Sequence, residues 1–278
     1  MGKKRVKDIH VINKVMPHLM PRRTDSEIFL TYKLDVTKLM EYLEQRNKKL
    51  PDDEHATIFH ALATASAKMI FHRPFLNRYV KARKTYQRDE ITVAFVSRRE
   101  FKDNSDELLV QIKIGENDTM AEIGKKIIGK VSAARKNDNG MDSFLKTVMS
   151  LPTPIVAIIM ALFRFADYFQ FLPKSFTKSE PDFATVYLAN LGSIKGNAVC
   201  HHLNNFGTNS LFATMGLVHK EEMIIDDKEQ VCDVLELGIT IDERISDGFK
   251  AFRALGLLKD IVAHPETLDE PIKKEVKL

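Results

Sequence analysis

Seven residues near the end of the chain, Asp242-Glu243-Arg244-Ile245-Ser246-Asp247-Gly248, close the apolar run Val234 to Ile241 and open a helical pattern. The carboxylate of Glu243 has two chemistries open to it at such a junction. Solvated, it titrates near 4.3 and simply pairs with a cation, Arg244 or one across a subunit boundary. Buried in an apolar channel, its pKa rises toward the range of a working base. A second candidate is the adjacent pair His201-His202, readable either as surface residues or as site residues. The remaining histidines, His10, His18, His55, His60, His72, His219 and His264, show no ligand spacing and no paired nucleophile, and His60 falls on a helix face. Cys200 and Cys232 lack a C-x-x-C partner, so neither a disulfide framework nor a metal site is implied.

The elements that must position these groups follow from periodicity. Glu27 to Asp35 alternates as a strand, with Asp35 as a cap for a helix over Val36 to Gln45. Ile58, Phe59, Leu62, Ala65, Met69 and Ile70 recur at helical spacing in a buried helix that Pro74 ends. Strands are expected at Tyr79-Val80, Ile91 to Val96 and Leu108 to Ile114, then a helix with Met120, Ile123, Ile127, Ile128 and Val131 on one face. Strands return at Ala184 to Leu188, Leu211 to Met215 and Val234 to Ile241, before a last helix over Phe249 to Val262. No Gly-rich phosphate loop and no strict βαβ rhythm accompany them, which favours a mixed sheet with helices on its face over a doubly wound nucleotide fold. No Pro/Gly/Ser-rich linker divides the chain, so residues 1–278 read as a single domain with an apolar helical insertion at about 141–176.

Three regions resemble the catalytic domain shared by the acyltransferase components of 2-oxoacid dehydrogenase complexes and chloramphenicol acetyltransferase. They are His72-Arg-Pro-Phe-Leu-Asn-Arg-Tyr79 leading to Asp89 through Phe95, then Val186-Tyr-Leu-Ala-Asn-Leu-Gly192 with Phe212-Ala-Thr-Met-Gly216, and the terminal seven residues, similar to D-H-R-x-x-D-G. The resemblance implies a mixed α+β fold, a chloramphenicol-acetyltransferase-like sheet flanked by helices, and transfer of an acyl group between coenzyme A and an unknown acceptor. It implies coenzyme A or acyl-CoA as a substrate, with no bound cofactor, and a homotrimer whose site forms between the N-L-G side of one subunit and the terminal signature of its neighbour. Glu243 stands where the family has its histidine base. Asp247 matches the aspartate that fixes the loop by pairing with an arginine, for which Arg22 or Arg23 is the candidate, and Gly248 the glycine of the turn into the helix. Ala189 aligns with the hydroxyl residue that stabilises the oxyanion; Asn190, Gly192, Ser193, His201 and His202 would lie on the substrate side, with Thr185, Ser193 and the two histidines as substitutes for the missing donor. A second implied reading is a catalytically silent member that binds a ligand or serves assembly. No lipoyl or subunit-binding segment precedes the three regions.

The chain of 278 residues carries a net charge of +4, with basic concentrations at Lys3-Lys4-Arg5 and between Arg78 and Arg88. Both fit either a solvated surface or an anionic ligand such as a phosphorylated cofactor. With no Trp, no aromatic ribonucleoprotein-type strand and no zinc spacing, a nucleic-acid partner is not expected. The absence of a signal-type apolar core before Pro17 and the sparse cysteines point to the cytoplasm. The apolar run Ile155 to Phe163 is too interrupted by Pro152, Pro154, Arg164 and Asp167 to span a bilayer, which takes about 20 apolar residues. It would lie on the fold, in a subunit interface, or on a membrane surface.

Overall fold

The computed structural model describes residues 4–99, 107–136, 147–225 and 227–276. Its strands are β1 (Lys4–Arg5), β2 (Glu27–Asp35), β3 (Arg78–Lys81), β4 (Lys84–Gln87), β5 (Ile91–Arg98), β6 (Glu107–Ile114), β7 (Val186–Asn190), β8 (Leu211–Met215), β9 (His219–Ile225) and β10 (Lys228–Asp242). Its helices are α1 (Val11–Leu19), α2 (Thr37–Asn47), α3 (Ile58–His72), α4 (Met120–Lys136), α5 (Thr153–Tyr168), α6 (Lys174–Ser179) and α7 (Gly248–Ala263).

A seven-stranded mixed sheet in the order β2-β10-β8-β7-β5-β6 carries β9 on the first half of β10. The pairs β5–β7 and β7–β8 are parallel and the others antiparallel. Period-two alternation puts Val186, Leu188, Leu211, Met215, Leu237, Ile239 and Ile241 on one face, where they meet Leu62, Met69, Leu255 and Leu258 from α3 and α7. Alternate positions of β7 and β8, Tyr187 and Phe212, point to the other face and stack on each other with centroids 4.8 Å apart. The segment after β7 crosses that face, where Thr214 Oγ1 accepts from the amide of Val199.

Local chemistry sets the helix starts. Asp35 accepts from the amide and hydroxyl of Thr37, one position earlier than a standard cap, since Val36 is the N-cap residue. At α3, Thr57 and His60 form a capping box in which Nδ1 of His60 accepts from the Thr57 amide at 3.0 Å. The small side chains Ala61, Ala63, Ala65 and Ala67 let α3 lie buried on nearly every side.

A second, three-stranded sheet, β1-β4-β3, was not anticipated beyond Tyr79-Val80, and neither were α1 and β9. Its strands are too short and too polar to register as alternation. Of the expected insertion, residues 141–146 lie outside the described residues. Its main helix, α5, rests on the fold by one stripe only: Val156, Ile159, Phe163 and Ala166 are half-buried, with Phe163 against Phe176 and Phe206, and Asp167 is buried, while Ile155, Ile158, Leu162 and Phe165 are exposed. Ile128, expected on the inward face of α4, is 44% exposed.

Close backbone approach dictates several glycines, Gly192 and Gly207 among them. A Cβ on Gly192 would stand 2.5 Å from the carbonyl oxygen of Gly216. Gly207, at φ +77°, would place one 2.3 Å from the carbonyl of Asp182. Gly207→Ala therefore combines a left-handed backbone with a backbone clash and should cost about 3 kcal/mol, measured as a fall in urea midpoint at unchanged m-value.

Candidate functional site

Parallel pairing between β5 and β7 ends at Phe95 and Leu188, yet β5 runs on to Arg98 and β7 to Asn190. A cavity of about 810 Å³ is lined by residues from both of these strand ends. Its walls are the start of α3 (Thr57, Phe59, His60), the turn Glu180-Pro181-Asp182, the β7 end (Tyr187, Ala189, Asn190, Ser193) and the loop pair His201 and His202. Thus five of the expected substrate-side residues share one cavity wall. Gly192 is not among the lining residues; it sits behind the wall, against Gly216.

The polar groups of this cavity differ in what they can still do. Ser193 cannot replace the missing oxyanion donor freely, because its hydroxyl already donates to the Asn190 carbonyl at 2.7 Å. Thr185 is fully buried, with its hydroxyl donating to Asn77 Oδ1, and is not a lining residue. His60, whose Nδ1 accepts from the Thr57 amide, carries its proton on Nε2 when neutral, and burial lowers its pKa, helped by Arg46. His201 has the opposite arrangement. Its Nδ1 donates to the His202 carbonyl at 2.7 Å, which leaves Nε2 as the lone-pair nitrogen of the neutral ring. The ring is held in a four-membered stack: Phe212 lies 4.4 Å on one side, itself stacked on Tyr187, and His202 lies 4.6 Å on the other.

Carboxyls also face the cavity, Glu107 from β6 and the half-buried pair Glu180 and Asp182. Burial pushes Glu180 up to about 7, reinforced by neighbouring Asp182. Asp182 is raised by burial as well, against the pull of Arg23 and a hydrogen bond from Asn204. Neither was singled out from the sequence; the signal available was a pair of acids flanking Pro181 directly before a buried strand.

Glu243 lies elsewhere. It is half-buried in the loop after β10, its amide donates to the Ser26 carbonyl at 2.7 Å, and it does not line the cavity. Its carboxylate has no hydrogen-bond or ion-pair partner among the described residues. The Arg244 pairing is ruled out by Asp242, which takes both Nε and a terminal nitrogen of Arg244 at 2.8 Å.

Neither a scan of family models nor a search of curated proteins returns a match. Solved structures do match. A probable dihydrolipoamide acetyltransferase from Listeria monocytogenes superposes with a TM-score of 0.62 at 18% identity over 99% of this chain and 98% of that one. The cubic core of a pyruvate dehydrogenase multienzyme complex gives 0.62 at 14% over 95% and 94%. A chloramphenicol acetyltransferase gives 0.57 at 10% over 94% and 100%. The chain has the chloramphenicol-acetyltransferase-like fold.

Within that fold the terminal signature is wired differently from the expectation. Among the described residues no arginine bonds Asp247; it caps α7 by accepting from the Lys250 amide at 2.9 Å and pairs with the Lys250 ammonium at 2.9 Å. Arg22 holds Asp25 through its backbone, and Arg23 is buried beside Asp242, with Nε 3.8 Å from its carboxylate. The loop is fixed by Asp242, which also accepts from Ser26 Oγ. Gly248 has no backbone near its missing Cβ and no positive φ, so nothing in the single chain demands glycine there.

Two outcomes follow from these environments. Asp242→Asn would leave the buried guanidiniums of Arg23 and Arg244 uncompensated and should cost about 3–5 kcal/mol in chemical denaturation. For Glu180, a folded pKa of about 7 against an ordinary 4.5 means the native state holds the proton more tightly. Its contribution is fully present below pH 4.5 and is lost as pH rises to 7. Glu180→Gln should therefore flatten that part of the stability profile and raise stability relative to wild type at neutral pH.

Proposed function

We propose that this chain transfers an acyl group from coenzyme A to an acceptor hydroxyl, amine or thiol bound in the 810 Å³ cavity, with His201 as the proton acceptor. The observation that carries this reading is the His201 tautomer, Nδ1 bonded to a backbone carbonyl and Nε2 left with its lone pair, on the same wall as Ala189 and Asn190. In the reaction Nε2 takes the acceptor proton as the acceptor heteroatom attacks the thioester carbonyl, and the resulting tetrahedral oxyanion collapses. The C–S bond breaks, and the departing thiolate of coenzyme A takes the proton back from the imidazolium. General-base assistance of this kind is worth about 10²- to 10⁴-fold in rate. The oxyanion donor cannot come from the methyl of Ala189; the Nε2–H of neutral His60 is a ring donor among the lining residues.

Glu243 serves the same chemistry only if a second copy brings it to the cavity mouth. Self-association is supported by the likeness to the cubic core of a multienzyme complex, and by exposed Phe29, Phe249 and Phe252 on β2 and α7, the elements flanking the Glu243 loop. A homotrimer built this way, acting in the cytoplasm, is the assembly we favour. One observation favours the silent alternative: with Ala189 in the wall and Ser193 committed to Asn190, the oxyanion loses two donors, and losing one such donor typically costs about 10²- to 10³-fold.

A panel of short- and long-chain acyl-CoAs with thiol, amine and alcohol acceptors, read as thiol release, separates these readings. His201→Gln should lower kcat about 10²-fold or more at near-constant KM, while Glu243→Gln changes it little. Loss on Glu243→Gln alone moves the base to the neighbouring copy. Inert wild type that gains turnover on Ala189→Ser or Glu243→His, yet binds acyl-CoA, makes the chain a binding or assembly module.

A further inference from the structure

The small sheet carries a surface that acyl transfer does not use. The hairpin joining β3 and β4 turns through Ala82 and Arg83 at φ 46° and 59°. A two-residue hairpin needs left-handed backbone at both positions, which Asn-Gly normally supplies. Holding an alanine and an arginine there is strained, and the result is an arginine at the tip. Arg83 and Lys84 meet Arg5 and Lys7 from the N-terminal segment and Lys14 and His18 from α1 around a cavity of about 320 Å³. No carboxylate lines this cavity, and none of the six basic side chains pairs with one among the described residues. Lys3, of the basic run Lys3-Lys4-Arg5, lies outside the described residues.

Apolar helical surface flanks this basic site. On α1, Val11, Ile12 and Leu19 are 67%, 62% and 70% exposed. Helix α5 is tied to the same sheet by the buried ion pair of Lys81 with Asp167 and by the Tyr79 hydroxyl, 3.3 Å from Gln170 Oε1. Beyond that tie its exposed residues Ile155, Ile158, Leu162 and Phe165, continued by Phe169 and Phe171, are apolar. At 3.6 residues per turn, the exposed positions of α5 sweep more than half its circumference, interrupted only by Arg164. A protein groove covers one stripe of a helix; an apolar medium covers whatever is immersed in it.

We propose that α1, α5 and the β3–β4 hairpin form a docking face for an anionic phospholipid bilayer, with phosphodiester headgroups in the basic cavity and the two helices at the boundary of headgroups and acyl chains. The contact is peripheral. No helix of the described residues is long and apolar enough to cross a membrane, and the 16 residues of α5 reach about 24 Å against a hydrocarbon core of about 30 Å. This inference does not depend on the acyl-transfer reading, since it uses none of the residues of the large cavity.

The test is flotation of the full chain with vesicles of phosphatidylcholine alone or mixed with phosphatidylglycerol, at low and high salt. Wild type should float with the anionic vesicles and lose affinity as salt rises. Neutralising three cations, Lys7→Gln, Lys14→Gln and Arg83→Gln, should lower affinity about 100-fold, at about fivefold per charge. Ile158→Asp with Leu162→Asp should abolish flotation while leaving the thermal midpoint and the mass in light scattering unchanged, because both side chains are exposed. Absence of wild-type flotation, equal flotation on both vesicle types, or a smaller assembly for the Ile158→Asp, Leu162→Asp variant overturns the proposal, the last assigning the face to a second copy of the chain.

Discussion

The buried carboxylate of Asp242 is the point on which the rest of the molecule hangs. It sits at the end of β10 with no solvent exposure, clamped on both oxygens by Arg244 and reached by Ser26 and Arg23. A charge so deeply placed is tolerated only because cations and hydrogen-bond donors surround it. Arg23 extends the network, donating to the carbonyls of Asn204, Phe206 and Gly207. One carboxylate thus fixes the terminal loop that carries Glu243 and, through Arg23, the loop that follows His201 and His202. The two candidate bases are held by one ionic cluster although they do not share a cavity.

The large cavity inherits its electrostatics from this arrangement. Arg23 draws the Asp182 carboxyl down while burial drives it up, and Glu180 is left to rise to about 7. A Glu180 carboxyl raised to about 7, an Asp182 carboxyl raised by burial, and a histidine with an unblocked Nε2 make the lining suited to moving protons. It is poorly suited to fixing an oxyanion, because Ala189 has no donor and the Ser193 hydroxyl is spent on a local turn. The chemistry this site can support is limited by electrophilic stabilisation rather than by the lack of a base.

Much of this was legible in the sequence, for a physical reason. Buried strands and helices write their period into the chain, so β2, β5, β6, β8, α3, α4 and α7 could be read from apolar spacing, and the order of three local motifs carried the fold. Ala189, Asn190 and Ser193 could be assigned to the substrate side because they lie at or just beyond the end of a recognisable strand, whereas His201 and His202, equally readable as surface residues, are brought to the same cavity by a loop that periodicity does not describe. The ion pairs could not be read in this way. Asp242 and Asp247 are both aspartates of the terminal signature, and only the fold shows that the arginines belong to the first and Lys250 to the second. The small sheet escaped because two- and four-residue strands have no measurable period, and α1 because Pro17 stands inside it. For α5 composition showed an apolar helix, but whether the fold would cover it depends on tertiary packing that periodicity does not encode.

Asp167 connects the exposed helix to the cavity. One oxygen of its carboxylate takes both the Lys81 ammonium and the amide of Gly207. Gly207 lies against the Asp182 backbone, whose carbonyl in turn accepts from the amides of Thr208 and Asn209 at 2.8 Å. Burial lowers the Lys81 pKa to about 8 even with Asp167 beside it, so this latch is desolvated and geometrically tight. A force on α5 is therefore transmitted, through this buried ion pair and the stack of Phe163 on Phe206, to the turn that supports Asp182 and the loop after His202. Closely packed interiors do not absorb such displacements smoothly; they pass them on. A surface that seats α5 would bear directly on the wall where the acidic groups and His201 stand, which gives the apolar helix a mechanical relation to the site as well as an anchoring one.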